Sequence, residues 1–328
     1  MKAYIIRRLL YFIPVWVGVY SLTFALFHLR DPMTLAASQM PQADERTLQD
    51  WVRRYEYHLP LLLNLPGSES SVRADGQQHP EFAEHGILYS RYFRSLVNLF
   101  SMNLGVDRTG KSIATAFAER IGPTVSVMFP ALMLTILISI VLGLVAAYFR
   151  NTLVDASIIF LAVAMMSIAL PVYILAAYFL FGQVLKLTPI YGHILLPIMI
   201  AVLAATGGWI RFYHSVLLEE MGREYIRSAR ARGVSEVMIM ARHVLRNSLI
   251  PILTSVVMSL PYMITGSLLL EQFFGIAGMG DMLYSAIVRQ DFPVIQAMVY
   301  LGSFLYLFAS LLTDILYAVV DPRIAFDR

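Results

Sequence analysis

Cysteine is absent from the 328 residues, which excludes disulfides and thiolate metal sites. Charge is scarce. Asp, Glu, Lys and Arg make up 14% of the chain, where a soluble domain carries about 25%. The signs nearly cancel, at a net +3, and the basic residues lie in loops, so they form no nucleic-acid patch. Catalytic signatures are missing too. The seven histidines are His28, His58, His79, His85, His193, His214 and His243, and none forms H-E-x-x-H or another metal pair on a helical face. His79 and His85 read as solvated surface side chains. There is no G-x-S-x-G elbow and no paired catalytic carboxylate set. An enzyme reading has no residues to rest on.

What fills the chain is apolar. The hydrophobic fraction is 58% and the mean hydropathy +0.66. That composition predicts an all-α integral membrane protein. Lys2, Arg7 and Arg8 precede an apolar run over 9–29, which is longer than the core of about 7–15 residues of a signal peptide. Residues 1–29 therefore read as an uncleaved first transmembrane helix. Five more spans follow, at 121–149, 156–181, 194–210, 249–270 and 294–320. Pro171 predicts a kink in the third, and Pro251 and Pro261 fall in the fifth. Six spans from an inside start place Arg150 and both termini in the cytoplasm, the C-terminus being 321–328. The stretch after the fourth span carries Arg223, Arg227, Arg230, Arg232, Arg242 and Arg246, whereas short outside loops carry Lys186 and Arg289. That follows the positive-inside bias.

Residues 30–120 form the long extracytoplasmic region. Leu48, Trp51, Val52 and Tyr55 recur at helical spacing. The polar stretch 64–86, rich in Gly, Ser and Pro, reads as an inserted surface loop and a possible contact for a binding protein. Gly105, Gly110, Lys111 and Ser112 satisfy the P-loop pattern G-x-x-x-x-G-K-S. A working P-loop needs a buried strand before it and an α/β domain around it. Ser101 to Leu104 is a poor strand, and the loop faces away from cytoplasmic nucleotide. The match is a decoy.

The stretch from Gly222 to Pro251 organises the rest. Glu224 to Arg232 predicts a short helix, with Glu224 and Arg227 as a supporting pair. Ser228, Ala229 and Ala231 are small enough for another backbone to approach. Gly233 is placed to end the helix in a left-handed conformation, and Ser235, followed by Glu236, to cap a second, which runs toward Pro251 and into the next span. Tyr225, Arg227, Ala229, Arg230, Ala231, Arg232, Gly233 and Ser235 match Y-x-R-x-A-R-A-K-G-x-S. Arg242, His243, Leu245, Arg246, Asn247 and Pro251 match R-H-x-L-R-N-x-x-x-P. This resembles the coupling loop, or EAA motif, of binding-protein-dependent ABC importer permeases, closest to the B-type permease of the dipeptide/oligopeptide/nickel family. The literal Glu-Ala-Ala is replaced by Arg227-Ser228-Ala229.

The resemblance implies a type I ABC importer permease fold of six transmembrane helices, with a wrapping first helix and a 121–320 core that includes the coupling loop 214–248. It implies a bacterial inner-membrane location and a translocation pathway shared with a second, homologous permease. The other implied partners are two cytoplasmic ATPase subunits, which bind the ATP and Mg, and an extracytoplasmic substrate-binding protein. The chain itself would hold no cofactor. Peptides, nickel chelates and other small solutes share this architecture. An ion-coupled secondary transporter is the rival of another class, but deep mid-span acids are lacking.

A second segment carries the same resemblance. Glu271, Phe274, Gly278, Gly280, Leu283, Ala286, Ile287, Asp291, Pro293, Ile295 and Gln296 match the family's E-x-x-F-x-x-P-G-x-G-x-L…A-I-x-x-x-D-x-P-x-I-Q, with Ala277 in place of the usual Pro. Glu271, Phe274, Gly278, Gly280 and Asp291 are expected to belong to an outer gate. Asp314, late in the sixth span, is expected to anchor a helix or a subunit.

Overall fold

The computed structural model describes residues 2–29, 32–40, 43–54, 57, 59–63, 88–101, 103–185 and 194–320. The expected insertion at 64–86, the outside loop with Lys186, and the C-terminal 321–328 lie outside them. Helices carry nearly all of the described chain: α1 (Lys2–His28), α2 (Pro32–Gln39), α3 (Glu45–Arg54), α4 (Arg91–Phe100), α5 (Ile113–Tyr148), α6 (Leu153–Met166), α7 (Leu170–Val184), α8 (Leu195–Met221), α9 (Glu224–Ala231), α10 (Glu236–Thr265), α11 (Leu268–Phe274), α12 (Met279–Val288) and α13 (Phe292–Val320).

α5, α8, α10 and stretches of α1 and α13 are each long and apolar enough to cross a bilayer. α6 and α7 together make a sixth span, broken by a 91° bend. The sequence predicts a kink there, and the break is sharper. Ala169 is extended at its centre, Pro171 sits in the first turn of α7 where no N–H is needed, and Tyr173 donates its hydroxyl to the Met165 carbonyl at 2.9 Å. The fifth span also departs from the expected 249–270. It begins at Glu236, because one π-helical segment, Ile239–Val244, carries the coupling stretch straight into the span. It ends at Thr265, because Gly266 turns to φ +74°. α11 is then a separate short helix.

The chain divides into two compact units. The first comprises Met1–Leu9, Glu119–Tyr284 and Leu305–Arg328. Its core joins Val127 and Ala131 of α5, Ile174 and Ala177 of α7, Ile198, Ile200 and Val202 of α8, and Leu270 and Phe274 of α11. Arg8 and Asp314, the latter near the end of α13, are ion-paired. This is the helix anchor expected of Asp314, made within the chain.

The second unit comprises Leu10–Ala118 and Ser285–Phe304. Trp16, Tyr20 and Phe24 form a buried aromatic stripe along α1. Tyr20 packs on Tyr92 of α4 at 5.4 Å and on Tyr300 of α13 at 5.2 Å. Its hydroxyl donates to the Tyr92 carbonyl at 3.0 Å. α3 forms where the helical spacing predicts it, with Asp44 accepting from the Thr47 N–H at 3.2 Å as its cap; Tyr55 lies outside the described residues. α4 is capped by Ser90, which accepts from the Phe93 N–H.

Candidate functional site

The charged stretch folds as a helical hairpin. Arg223 is extended and starts α9. At the other end Arg232 is followed by Gly233 at φ +79°. The Gly233 N–H donates to the Arg230 carbonyl at 2.9 Å and the Val234 N–H to the Ala229 carbonyl at 3.3 Å. This paired closure is the Schellman motif, and a left-handed residue makes it possible. Ser235 stands at the start of α10 as expected, but its hydroxyl makes no capping bond. Glu224 and Arg227 are both exposed and form no ion pair with each other among the described residues. The pairing goes elsewhere. Arg230 holds Glu236 with two hydrogen bonds at 2.7 and 3.1 Å, which push its guanidinium above its ordinary value. Arg223 binds Glu219 at 3.0 Å.

The hairpin has two faces. Ile226 and Ala229 of α9 are buried against Ala147, Leu217, Ile239, Met240 and Val244. Tyr225 adds a polar tie at the rim. Its hydroxyl pairs with Glu220 and accepts from Asn247 Nδ2 at 2.6 Å. Burial, and then Glu220, raise its phenol above the ordinary value. Glu224, Arg227, Ser228, Arg230, Ala231, Arg232, Gly233 and Ser235 all face outward. Of the small residues expected to let another backbone approach, Ala229 is 1% exposed and serves the inward packing instead.

The second candidate cluster centres on Glu271, which has no exposed surface. One carboxylate oxygen accepts from the Thr124 hydroxyl at 3.0 Å. The other accepts from the N–H groups of Gly280 and Asp281 at 2.7 and 3.1 Å. Those amides open α12, where negative charge is favoured. Thr124 in turn accepts from the Met279 N–H at 2.7 Å. Arg120 Nη1 reaches Asp281 at 2.8 Å and the Gly278 carbonyl at 3.3 Å. Glycine is required around this carboxylate for lack of space. A Cβ on Gly266 would lie 2.1 Å, and one on Gly278 2.3 Å, from a Glu271 oxygen, while one on Gly280 would lie 2.7 Å from the Ser267 backbone. The expected irregular Gly-rich turn is thus a pinned clasp between α11 and α12.

Of the expected gate residues, Glu271, Phe274, Gly278 and Gly280 belong to this first unit. Phe274 is part of its apolar core. Asp291 belongs to the second unit, where it accepts from the Arg108 N–H at 2.9 Å. The sequence reading missed Arg120, Thr124, Gly266 and Asp281. Only Gly266 carries a local signal, as the glycine that ends a long apolar run.

The P-loop look-alike is a closed turn. Asp107 Oδ1 accepts from the N–H groups of Thr109 and Lys111 at 2.8 and 2.9 Å, and from the Thr109 hydroxyl at 2.6 Å. Burial alone would raise this carboxyl, but those hydrogen bonds outweigh it and hold it below the usual range. The Gly110 N–H donates to the Asp107 carbonyl at 2.9 Å. The amides that would cradle a phosphate are occupied by the chain's own side chain.

Residues 139–326, more than half of the chain, match the family described as binding-protein-dependent transport system inner membrane component. The chain is 32% identical to a protein of Brucella abortus named as a peptide transport system permease, with both chains covered in full. It is 28% identical to the oligopeptide transport system permease protein AppB of Bacillus subtilis, over 99% of this chain and 100% of that one. It is 27% identical to the glutathione transport system permease protein GsiC of Shigella flexneri, again over 99% and 100%.

Proposed function

The chain belongs to the binding-protein-dependent transport system inner membrane components, the ABC importer permeases, and from that premise we propose that it forms half of a peptide pathway powered by ATP hydrolysis in partner subunits. It is a non-catalytic, multi-pass inner-membrane subunit. The observation that supports coupling most is the two-faced hairpin. One face is fixed to the ends of the spans through Ile226 and Ala229, and the other presents Arg227, Ser228, Ala231 and Arg232 outward.

In this reading the outward face docks on one of two cytoplasmic ATPases, which carry the ATP and Mg. Both termini share that side. A second, homologous permease completes the pathway, and an extracytoplasmic binding protein delivers the cargo. Nucleotide binding closes the ATPases and draws the hairpins together. The rigid link from α9 through α10 conveys that motion into the fifth span, and the Glu271 clasp belongs to the outer gate. Nucleotide biases a two-state element. The relatives' names support peptides as the cargo class.

The test is reconstitution of the permease with its partners in vesicles, scoring uptake of a labelled oligopeptide and ATP hydrolysis separately. ATP-dependent peptide uptake is expected. Nickel uptake without peptide uptake would replace the cargo reading. Gly233→Pro cannot reach φ +79° and loses the N–H bonded to Arg230. It is expected to keep basal hydrolysis and lose uptake. Unchanged substrate-stimulated hydrolysis and uptake would contradict the coupling role.

A further inference from the structure

The second unit holds a cavity of about 160 Å3, walled by residues of α1, α4, the turn after α4, and α13. Its chemistry is one-sided. Arg91, at the start of α4, spends its Nε on the Leu59 carbonyl at 2.8 Å. Its guanidinium lies 5.4 Å from the Tyr57 ring centre. Its Nη1 is buried and has no hydrogen-bond partner among the described residues. No carboxylate is among the described residues that line the cavity. A buried guanidinium N–H without an acceptor is costly unless something supplies one.

Two other side chains of the wall keep a donor to spare. Asn103 uses its carbonyl oxygen on the Gly105 N–H at 3.3 Å, which leaves its NH2 group. Gln296 donates to the Tyr300 hydroxyl, which leaves the phenolic proton to donate onward. His28 is fixed by Nδ1 on the Phe24 carbonyl at 3.1 Å and by stacking on Phe24 and Tyr57. With the proton on Nδ1, its Nε2 is an acceptor and takes no part in holding an anion.

We propose that this cavity binds a single oxyanion group, a carboxylate or a phosphate, with Arg91 Nη1 as the charged donor and Asn103 and Tyr300 as neutral ones. The space suits the charged end of a small molecule and not a whole peptide. Two sources offer that chemistry: a small anion in solution, or a phospholipid headgroup reaching the ends of α1 and α13. The site is separate from the hairpin and the Glu271 clasp, and binding is measured without transport. Its failure would leave the coupling reading standing.

The experiment uses the intact permease purified with its partner subunits. Acetate and inorganic phosphate are titrated by calorimetry, and retained phosphatidylglycerol is read by native mass spectrometry. Binding of at least one of the three is expected. Arg91→Met should lower it at least about ten-fold, the loss expected when a charged hydrogen bond is removed. Asn98→Phe keeps Arg91 but fills the cavity from α4, and should abolish the same binding even if the Arg91 variant fails to fold. Binding of acetate or phosphate without retained lipid assigns the soluble source, and retained lipid alone assigns the headgroup. Binding of none of the three by the native protein, or equal binding by either folded variant, would overturn the proposal.

Discussion

At the scale of single residues, the chain uses carboxylates as internal ligands for its own backbone. Asp107 closes the turn that mimics a P-loop, so the lysine of the pattern has no phosphate to serve. Lys111→Ala is expected to leave ATP-driven uptake unchanged and Asp107→Ala to lower the melting temperature modestly, because the second change removes hydrogen bonds of an exposed turn, worth about 0.5–1.5 kcal/mol each. Loss of nucleotide binding in Lys111→Ala would contradict this. The Asp107 contribution is present above the carboxyl's unfolded value and lost as pH falls through its depressed folded value. Glu271 acts similarly at the start of α12. Gly278→Ala would drive a carbon into its carboxylate, so combining it with Glu271→Ala should cost less than the two changes summed. Gly280→Ala meets backbone at Ser267 and Leu268 and should gain nothing from the same partner. Strict additivity in a melting-temperature cycle for the Gly278 pair would sink the clasp. Glu271, Gly278 and Gly280 were readable as a segment, but Thr124 lies 147 residues from Glu271, and no local pattern connects such a pair.

At the scale of elements, the bounds of the hairpin were legible because their signals are local, above all the glycine that ends α9. Its inner face was not: Ala229, read as open to another backbone, packs inward with Ile226, and neither the Glu224–Arg227 pair nor the Ser235 cap forms among the described residues. The second helix was expected to run on into the next span, and α10 does so, unbroken from Glu236. What no local signal marked is the π-helical segment 239–244, which shifts the helical register without any breaker. The 91° break between α6 and α7 was underestimated for the opposite reason. Proline signals an interruption but does not set its angle, which depends on what packs around it. One consequence concerns Arg230 and Arg232. The Arg230–Glu236 pair is exposed, and such pairs are worth about 0–1 kcal/mol. Reversing both charges should therefore leave the melting temperature within a few degrees while uncoupling hydrolysis from uptake. A collapse in stability, or normal coupling, would show that these arginines serve the hairpin's own fold.

At the scale of the whole molecule, composition and long apolar runs gave the class and the number of spans. The match of residues 139–326 to the transport family covers both the hairpin and the Glu271 segment. The gate expectation was the less legible of the two, since Asp291 belongs to a different compact unit from the other four residues. Charge sequence alone cannot divide a helix such as α12 between units. The central claim is that the outward face of α9 sits against an ATPase in the cytoplasm. The absence of native cysteine permits a direct measurement, namely bismaleimide cross-linking of the assembled complex carrying single substitutions along α9. Ser228→Cys and Ala231→Cys should cross-link to the ATPase and resist a membrane-impermeant thiol reagent added outside intact cells, while Ala229→Cys, buried in the hairpin, should resist the reagent as well but form no cross-link. Labelling of Ser228→Cys from outside, or no ATPase adduct from any outward position, would contradict the account.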